Sequence, residues 1–157
     1  MANRATTRLG ELSVAIALCI APAACVTLPT AEDYDHTVNF SNYSTFAFAQ
    51  RQRAELDDRV VAHIEAAIEA DLIRRNYRLV SDPDTADFIV DFTTSAQERA
   101  GTGALSIDVL DQRTHRTIWH GWSTKPLAED SPADSVKTAQ QTAVAVLAWF
   151  PPGRLHP

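Results

Sequence analysis

In residues 103–123, apolar and polar side chains alternate as they do in a β-hairpin, and this stretch constrains the fold more than any other. Leu105, Ile107 and Val109 alternate with polar residues, which is the period of a strand with one buried face. A polar segment then reverses the chain, and Arg116–Ser123 returns as a β-branched and aromatic strand. The rest of the chain must therefore cover or extend an antiparallel pair of strands.

The turn of this hairpin decides which residues share a face. A four-residue loop from Gln112 to His115 pairs Val109 with Ile118, and its last residue, His115, is expected to have a positive φ. With this register, the second face of the hairpin carries Leu110, Thr117, Trp119 and Gly121. A five-residue loop would instead move Trp119 to the face of Ile107, because a slip of one residue turns every side chain over.

Two helices are predicted by apolar residues that recur with helical spacing. The first runs to Asn76, which occupies the usual place of the left-handed residue that ends a helix. Its apolar stripe consists of Leu56, Val60, Ile64, Ile68 and Leu72. The second helix begins with Ser131 as N-cap and Pro132 at its first position, and it extends to Phe150.

Strand patterns at residues 45–49, 77–80 and 86–99 complete the set of elements. The predicted fold class is α+β, in the form of a two-layer sandwich with the element order β-α-β-β-β-β-α. Both helices are expected to cover one face of a mostly antiparallel sheet, because each has a single apolar stripe to bury.

The first 24 residues have the features of an export signal. Arg4 and Arg8 precede the apolar core Leu12–Ile20, which is too short to span a bilayer. The segment Pro-Ala-Ala-Cys that ends at Cys25 resembles a bacterial lipobox, which predicts lipidation of Cys25; the alternative is ordinary cleavage before Ala24. No other cysteine follows residue 24, so Cys25 has no partner for an internal disulfide, and lipidation gives this thiol a role.

This cleavage divides the chain into a signal peptide (1–24), a lipidated N-terminus and tether (25–32), a globular domain (33–152) and a tail (153–157). Without the signal peptide the chain has 12 basic and 19 acidic residues, and its net charge falls from −6 to −7. Such a surface repels nucleic acid, so no nucleic-acid partner is expected. We expect an exported protein that is held by lipid to a bacterial envelope membrane, the outer in preference to the inner, and that faces the periplasm.

Few residues are candidates for catalysis. Asp91 lies in the predicted strand 86–99, whereas Asp108, His115 and His120 lie in the hairpin. Their spacing does not bring a nucleophile, a base and an orienting group together. The two histidines, five residues apart across a turn, are not expected to share a zinc ion. The sequence thus predicts no enzymatic activity, no metal and no cofactor.

Four motifs along the chain resemble a known family. They are D-Y-D-x-x-x-x-F-x-x-Y-x-T-F at 33–46, R-R-N-Y at 74–77, A-D-F-I-V-D-F at 86–92 and F-P-P at 150–152. In this order and spacing they resemble the bacterial envelope lipoprotein family catalogued as domain of unknown function 4136. Asn76 and His115 stand where this family more often has glycine. The resemblance implies an exported lipoprotein with a compact α+β domain, and it implies no activity.

The first functional hypothesis is a lipid-anchored, non-catalytic envelope domain that binds an envelope protein, another envelope component or a second copy of itself. Its expected contact face carries Leu110, Thr117 and Trp119, with Trp119 as the anchor. The competing interpretation of this face is that the segment containing Phe40 and Tyr43 folds over it and makes Trp119 part of the core. Two other classes remain as alternatives: a small periplasmic hydrolase or metal-dependent enzyme, and a carrier of an apolar ligand.

Overall fold

The computed structural model describes residues 30–50, 58–94, 105–125, 127 and 131–152. The predicted signal peptide, Cys25, Leu56, the last residues of the predicted strand 86–99 and the tail lie outside the described residues. Within them, the strands are β1 (Thr30–Tyr34), β2 (Thr45–Phe48), β3 (Arg78–Leu79), β4 (Phe88–Thr94), β5 (Leu105–Asp111) and β6 (Arg116–Ser123). The helices are α1 (Asp58–Arg74) and α2 (Pro132–Leu147).

The six strands form one sheet in the order β1-β6-β5-β4-β2-β3. Strands β1, β6, β5 and β4 are paired antiparallel, whereas β2 runs parallel to both β4 and β3. The parallel pair β2–β3 is connected through α1, since parallel neighbours need a crossover. Buried side chains of both helices join those of one sheet face in a single core. The predicted fold class is therefore confirmed.

Strand β1 is an element that the sequence pattern did not indicate. It pairs antiparallel with β6 along its whole length, from Thr30 opposite Ser123 to Tyr34 opposite Trp119. The predicted tether (25–32) was too long, because its last three residues already belong to this edge strand. The five residues of β1 are mostly polar and half-exposed, so they lack the alternation that marks a strand with one buried face.

The apolar stripe predicted for α1 forms the centre of the core. Ile64, Ile68 and Leu72 are all fully buried. The helix ends as predicted, because Asn76 has a φ of 71° and the amide of Tyr77 donates back to the carbonyl of Leu72.

A carboxylate, Asp71, is also buried on this helix. It is 4% exposed and accepts hydrogen bonds from Arg74 and, at 2.6 Å, from Nε of Arg75. Arg75 also donates to the carbonyl oxygen of Phe150, just beyond α2. These bonds satisfy the buried charge and fasten the end of α1 to the end of α2.

The hairpin has the predicted loop but a different register along the strands. Asp111 pairs with Arg116 and Leu110 with Thr117, as a four-residue loop requires, and His115 has a φ of 54° as expected. A β-bulge then adds Ile118 to β6, so that Val109 lies opposite Trp119.

This one-residue shift overturns the predicted exposure of Trp119. The bulge places Trp119 on the face of the sheet that the helices cover, where it is 0% exposed. Its ring centroid lies 5.3 Å from that of Phe150, and its Nε1 donates to Glu32 on β1 at 2.8 Å. Trp119 is core, and it is covered by α2 and its end.

The second helix begins as the sequence indicates. The Ser131 hydroxyl accepts a hydrogen bond from the amide of Asp134 at 3.2 Å, and the hydroxyl also donates to the Asp134 carboxylate at 2.6 Å. Of the helices in the described part of the chain, none has the length and apolar character needed to span a membrane.

Candidate functional site

The sheet face opposite the helices carries a row of ionisable side chains across four neighbouring strands. His120 on β6 lies opposite both Asp33 on β1 and Asp108 on β5, and Asp108 lies opposite Asp91 on β4. Directly opposed residues point to the same face of a sheet, so the four side chains follow one another in a line. We refer to Asp33, His120, Asp108 and Asp91 as the polar row.

The centre of the polar row is a hydrogen-bonded pair. His120 Nδ1 lies 2.7 Å from Asp108 Oδ1, and the two side chains are 39% and 29% exposed. A carboxylate only accepts, so Nδ1 is the donor in this bond. The ring of His120 stacks on Trp122, with centroids 5.0 Å apart and planes inclined by 27°. The bond and the stacking together fix the orientation of the imidazole.

The two ends of the polar row differ in their access to solvent. Asp33 is exposed on the edge strand β1, whereas Asp91 is only 6% exposed. Asp91 therefore does not face open solvent, although it lies on the side of the sheet that the helices leave uncovered.

An aspartate bonded to a histidine can orient a general base, but a base also needs a group to activate. The hydroxyls on this face include those of Thr93 and Ser106, which lie 2.7 Å apart and are hydrogen-bonded to each other, and that of Thr117, which is exposed. No group of three histidine, cysteine or acidic side chains among the described residues is arranged to hold a metal ion. The pair presents an oriented, half-exposed imidazole.

The structure separates the candidate residues into distinct places. Of the four residues considered for catalysis, Asp91, Asp108 and His120 share the polar row, but His115 lies in the β5–β6 turn. The three residues of the expected contact face are also split. Leu110 and Thr117 lie side by side on the uncovered face, half-buried and exposed respectively, while Trp119 points into the core.

An open cleft of about 650 Å³ lies at the turn end of the sheet. It is lined by Asn42, Tyr43, Asp87, Asp111, Arg113 and His115, among others.

Two carboxylates of the cleft wall hold the backbone in place. Asp87 accepts three hydrogen bonds at 2.9 Å, from the amide and hydroxyl of Ser44 and from the amide of Thr45. Burial alone would raise the pKa of Asp87, but these hydrogen bonds outweigh it and hold the pKa below its ordinary value.

Asp111 also lines the cleft and is held by hydrogen bonds in the same way as Asp87. It accepts from the Tyr43 hydroxyl and from the amide and hydroxyl of Thr114, each at 2.7 Å. These bonds also outweigh burial and lower the pKa of Asp111. Conversely, burial and the bond to Asp111 raise the pKa of Tyr43 to about 12. Both carboxylates are thus committed to structure, which leaves the polar row as the candidate site.

Sequence reasoning identified Asp91, Asp108 and His120 singly but did not bring them together, and it did not single out Asp33. The row depends on the register of three strand pairs, which includes the bulge at Ile118 and the unpredicted strand β1. Asp91 and Asp108 are far apart in the sequence, and no local pattern indicated that they would pair. The spacing of His120 and Trp122 puts these two on one face, but only the bulge brings Asp108 to that face.

Comparison with known proteins identifies a family and a shared fold. The model of the family described as "Domain of unknown function (DUF4136)" matches residues 30–152. No curated protein matches the chain. Among solved structures, a PDZ domain protein from Parabacteroides distasonis has a TM-score of 0.60 at 16% identity, over 82% of this chain and 36% of that chain. This chain therefore spans little more than a third of the length of that protein.

Two further solved structures are matched over nearly their whole length. A DUF4136 family protein from Bacteroides thetaiotaomicron has a TM-score of 0.54 at 11% identity, over 75% of this chain and 95% of that chain. The PelC dodecamer from Paraburkholderia phytofirmans has a TM-score of 0.52 at 12% identity, over 75% of this chain and 93% of that chain. At such low identities, the similarity establishes the fold alone.

Proposed function

The chain belongs to the family described as domain of unknown function 4136, as its four sequence motifs indicated, and from this premise we propose a lipid-anchored, non-catalytic domain of the bacterial cell envelope. In this proposal, Cys25 carries the lipid, the domain faces the periplasm, and the uncovered face of the sheet binds an envelope protein or another envelope component. The outer membrane is the proposed site of anchoring.

The sequence around Cys25 supports the anchoring. Two small residues precede this cysteine, a short apolar core precedes them, and no other cysteine follows. The folded domain begins with β1 at Thr30, only five residues later. A tether of this length leaves room for the lipid without removing any residue from the sheet.

The observation that carries the binding is the half-exposed set of Asp108, His120 and Trp122 on the uncovered face. Their mutual bond and stacking hold two aromatic rings in a fixed orientation, so little side-chain entropy is lost when a partner covers them. Large, rigid aromatic side chains are the usual anchors of interfaces. Trp122 therefore takes the role that the sequence pattern had suggested for Trp119.

Self-association is one form that this binding would take. The PelC chain, which shares this fold, is a dodecamer. In the present chain, strand β1 forms one edge of the sheet, beside the polar row. A second copy could therefore meet both the edge strand and the uncovered face.

Intact-mass analysis of the protein purified from membranes tests the anchoring. The expected result is a chain that begins at Cys25 with the added mass of acyl chains, found in the membrane fraction. Two or more chains are needed for stable attachment, at about 0.8 kcal/mol per buried methylene. The Cys25→Ser variant should be soluble. An unmodified, soluble wild-type chain that begins at Ala24 would contradict the proposal.

Pull-down from solubilised native membranes tests the binding face. We expect His120→Ala and Trp122→Ala to lose the partners that the wild type retains, whether these are other proteins or a tagged second copy. His63→Ala is the matched control, because His63 is an exposed histidine on α1, on the other layer of the domain. Equal capture by all variants would show that the uncovered face is not the binding surface.

A hydrolase is the second candidate function, because the 2.7 Å bond between Asp108 and His120 is the kind that orients a catalytic base. In this case purified protein would cleave a panel of activated esters, and His120→Ala would abolish the turnover. The contact between Thr93 and Ser106, which occupies the nearest hydroxyls, weighs against it. No observation among the described residues favours the carrier of an apolar ligand.

A further inference from the structure

One large aromatic side chain is exposed beside the first residue of the folded domain. Trp149, just beyond α2, is 48% exposed. Its indole Nε1 lies 3.2 Å from Oγ1 of Thr30 and donates to it. The indole is therefore held against the start of β1, on the side from which the tether leaves.

The length of the tether limits how far this indole can lie from Cys25. Five residue steps separate Cys25 from Thr30, and a fully extended chain of that length spans at most about 18 Å. Whatever path the tether takes, Thr30 stays within this distance of the lipid-bearing cysteine, and the indole lies in hydrogen-bond contact with Thr30. At the other end of β6, Arg116 lies seven residue steps from Ser123, or about 24 Å further along the sheet.

The segment that carries Trp149 differs in charge from the turn end of the sheet. Residues 138–152, which include Trp149, contain no acidic or basic side chain, although the chain as a whole is strongly acidic. The turn end of the sheet carries Asp87, Asp111 and Arg113 around the open cleft. The nearest carboxylate to Thr30 on the same side of β1 is Glu32, which accepts the bond from buried Trp119. The segment that carries Trp149 is thus itself uncharged, although Arg75 of α1 donates a hydrogen bond to the carbonyl oxygen of the neighbouring Phe150.

We propose that the indole of Trp149 lies at the headgroup level of the membrane that holds Cys25, and fixes the orientation of the domain on that surface. An indole suits this position because its ring is apolar and its N–H is polar. The domain would then stand with the start of β1 towards the bilayer and with the β5–β6 turn away from it. This inference rests on the proposed lipidation of Cys25, and it adds the surface that meets the lipid.

Quenching of tryptophan fluorescence by lipid tests the contact. The lipidated full-length mature protein is reconstituted into phosphatidylcholine vesicles, some made with lipid brominated near the headgroup end of its acyl chains. We expect quenching of the wild-type emission, and loss of most of this quenching in Trp149→Ala. The matched control is Trp122→Ala, which removes a half-exposed tryptophan on the uncovered sheet face and should leave the quenching in place.

Two outcomes would overturn the inference: wild-type protein that floats with the vesicles but is not quenched, or quenching that survives in Trp149→Ala. If mass analysis shows that native Cys25 carries no lipid, the proposed function fails separately. The contact is then measured on protein whose Cys25 thiol has been coupled to a maleimide phospholipid, since this restores the same tether. Absence of quenching in that preparation also refutes the contact, whereas its presence supports it independently of native lipidation.

Discussion

Replacing Gly121 with alanine should destabilise the domain, although alanine is ordinarily the better residue within a strand. A Cβ atom at this position would lie 2.2 Å from Cη2 and 2.7 Å from Cζ2 of Trp119, and 2.8 Å from Cγ1 of Val146. Carbon atoms in contact are normally about 3.5–4.0 Å apart, so the indole would have to move by more than about 1 Å. It has little room to do so, because it is fully buried against Phe150 and bonded to Glu32.

The magnitude follows from two opposing effects. Overpacking of a filled core costs about 1–3 kcal/mol. Alanine regains about 0.5–1 kcal/mol relative to glycine, because glycine loses more backbone entropy on folding. We therefore expect Gly121→Ala to lower the free energy of unfolding by about 1–2 kcal/mol.

A double-mutant cycle isolates the contact. Trp119→Phe removes the two ring atoms that the new Cβ would meet most closely, so Gly121→Ala should cost less in that background, where the contact with Val146 remains. The expected coupling energy is about 1–2 kcal/mol, within the range for residues in contact. Urea unfolding followed by far-ultraviolet circular dichroism measures all four proteins, because removal of a tryptophan would alter a fluorescence signal. Thr117→Ala, at an exposed position of the same strand, is the control and should stay within about 0.5 kcal/mol of wild type.

Equal effects of Gly121→Ala in both backgrounds would refute this reasoning. An unchanged free energy of unfolding for Gly121→Ala in the otherwise wild-type protein would also refute it. Either result would mean that the indole does not lie over Gly121, and that the register after the bulge at Ile118 has been assigned to the wrong face.

Three further predictions concern single elements of the fold. His115→Gly should be neutral or stabilise the domain by up to about 1 kcal/mol, because a φ of 54° strains histidine but not glycine; a thermal melt that shows a clear loss would contradict this. Ile68→Ala should cost about 2–5 kcal/mol and Glu69→Ala less than about 0.5 kcal/mol, and the reverse order in chemical unfolding would mean that the faces of α1 are exchanged. Since the pKa of Tyr43 is raised from 10.0 to about 12 in the folded state by burial and Asp111, the stability linked to its proton is complete below pH 10 and lost as the pH rises to about 12. Unfolding free energies measured across this range should fall by about 1–2 kcal/mol more in wild type than in Tyr43→Phe, and parallel pH profiles would exclude the linkage.

Local features of the sequence were sufficient for the helices and the turns. The stripe through Ile64, Ile68 and Leu72 needs only the helical period, and the ends of the helices depend on single residues such as Asn76 and Ser131. The positive φ of His115 follows from the length of its loop. Each of these features is determined by residues close together in the chain, so it can be predicted without knowledge of the tertiary structure.

The bulge and the first strand could not be predicted in this way. The sequence around Ile118 alternates between apolar and polar residues in the same way with or without a bulge. The bulged register is the one that places the Trp119 ring over Gly121, beneath α2. Strand β1 is stabilised mainly by its backbone pairing with β6, so its side chains carry no clear pattern. The polar row depends on both features, which is why most of its residues were recognised but their arrangement was not.

The position of β1 has a consequence for the order in which the chain folds. Thr30 pairs with Ser123, so two positions about 90 residues apart in the chain must meet before the edge strand can form. Contacts this distant in sequence form slowly, whereas α1 and the β5–β6 hairpin are closed by neighbouring residues. We therefore expect amides of β1 to gain protection last in pulsed hydrogen exchange during refolding, and early protection there would contradict this order. The sheet can therefore be complete only after the chain as far as Ser123 is available to pair with β1.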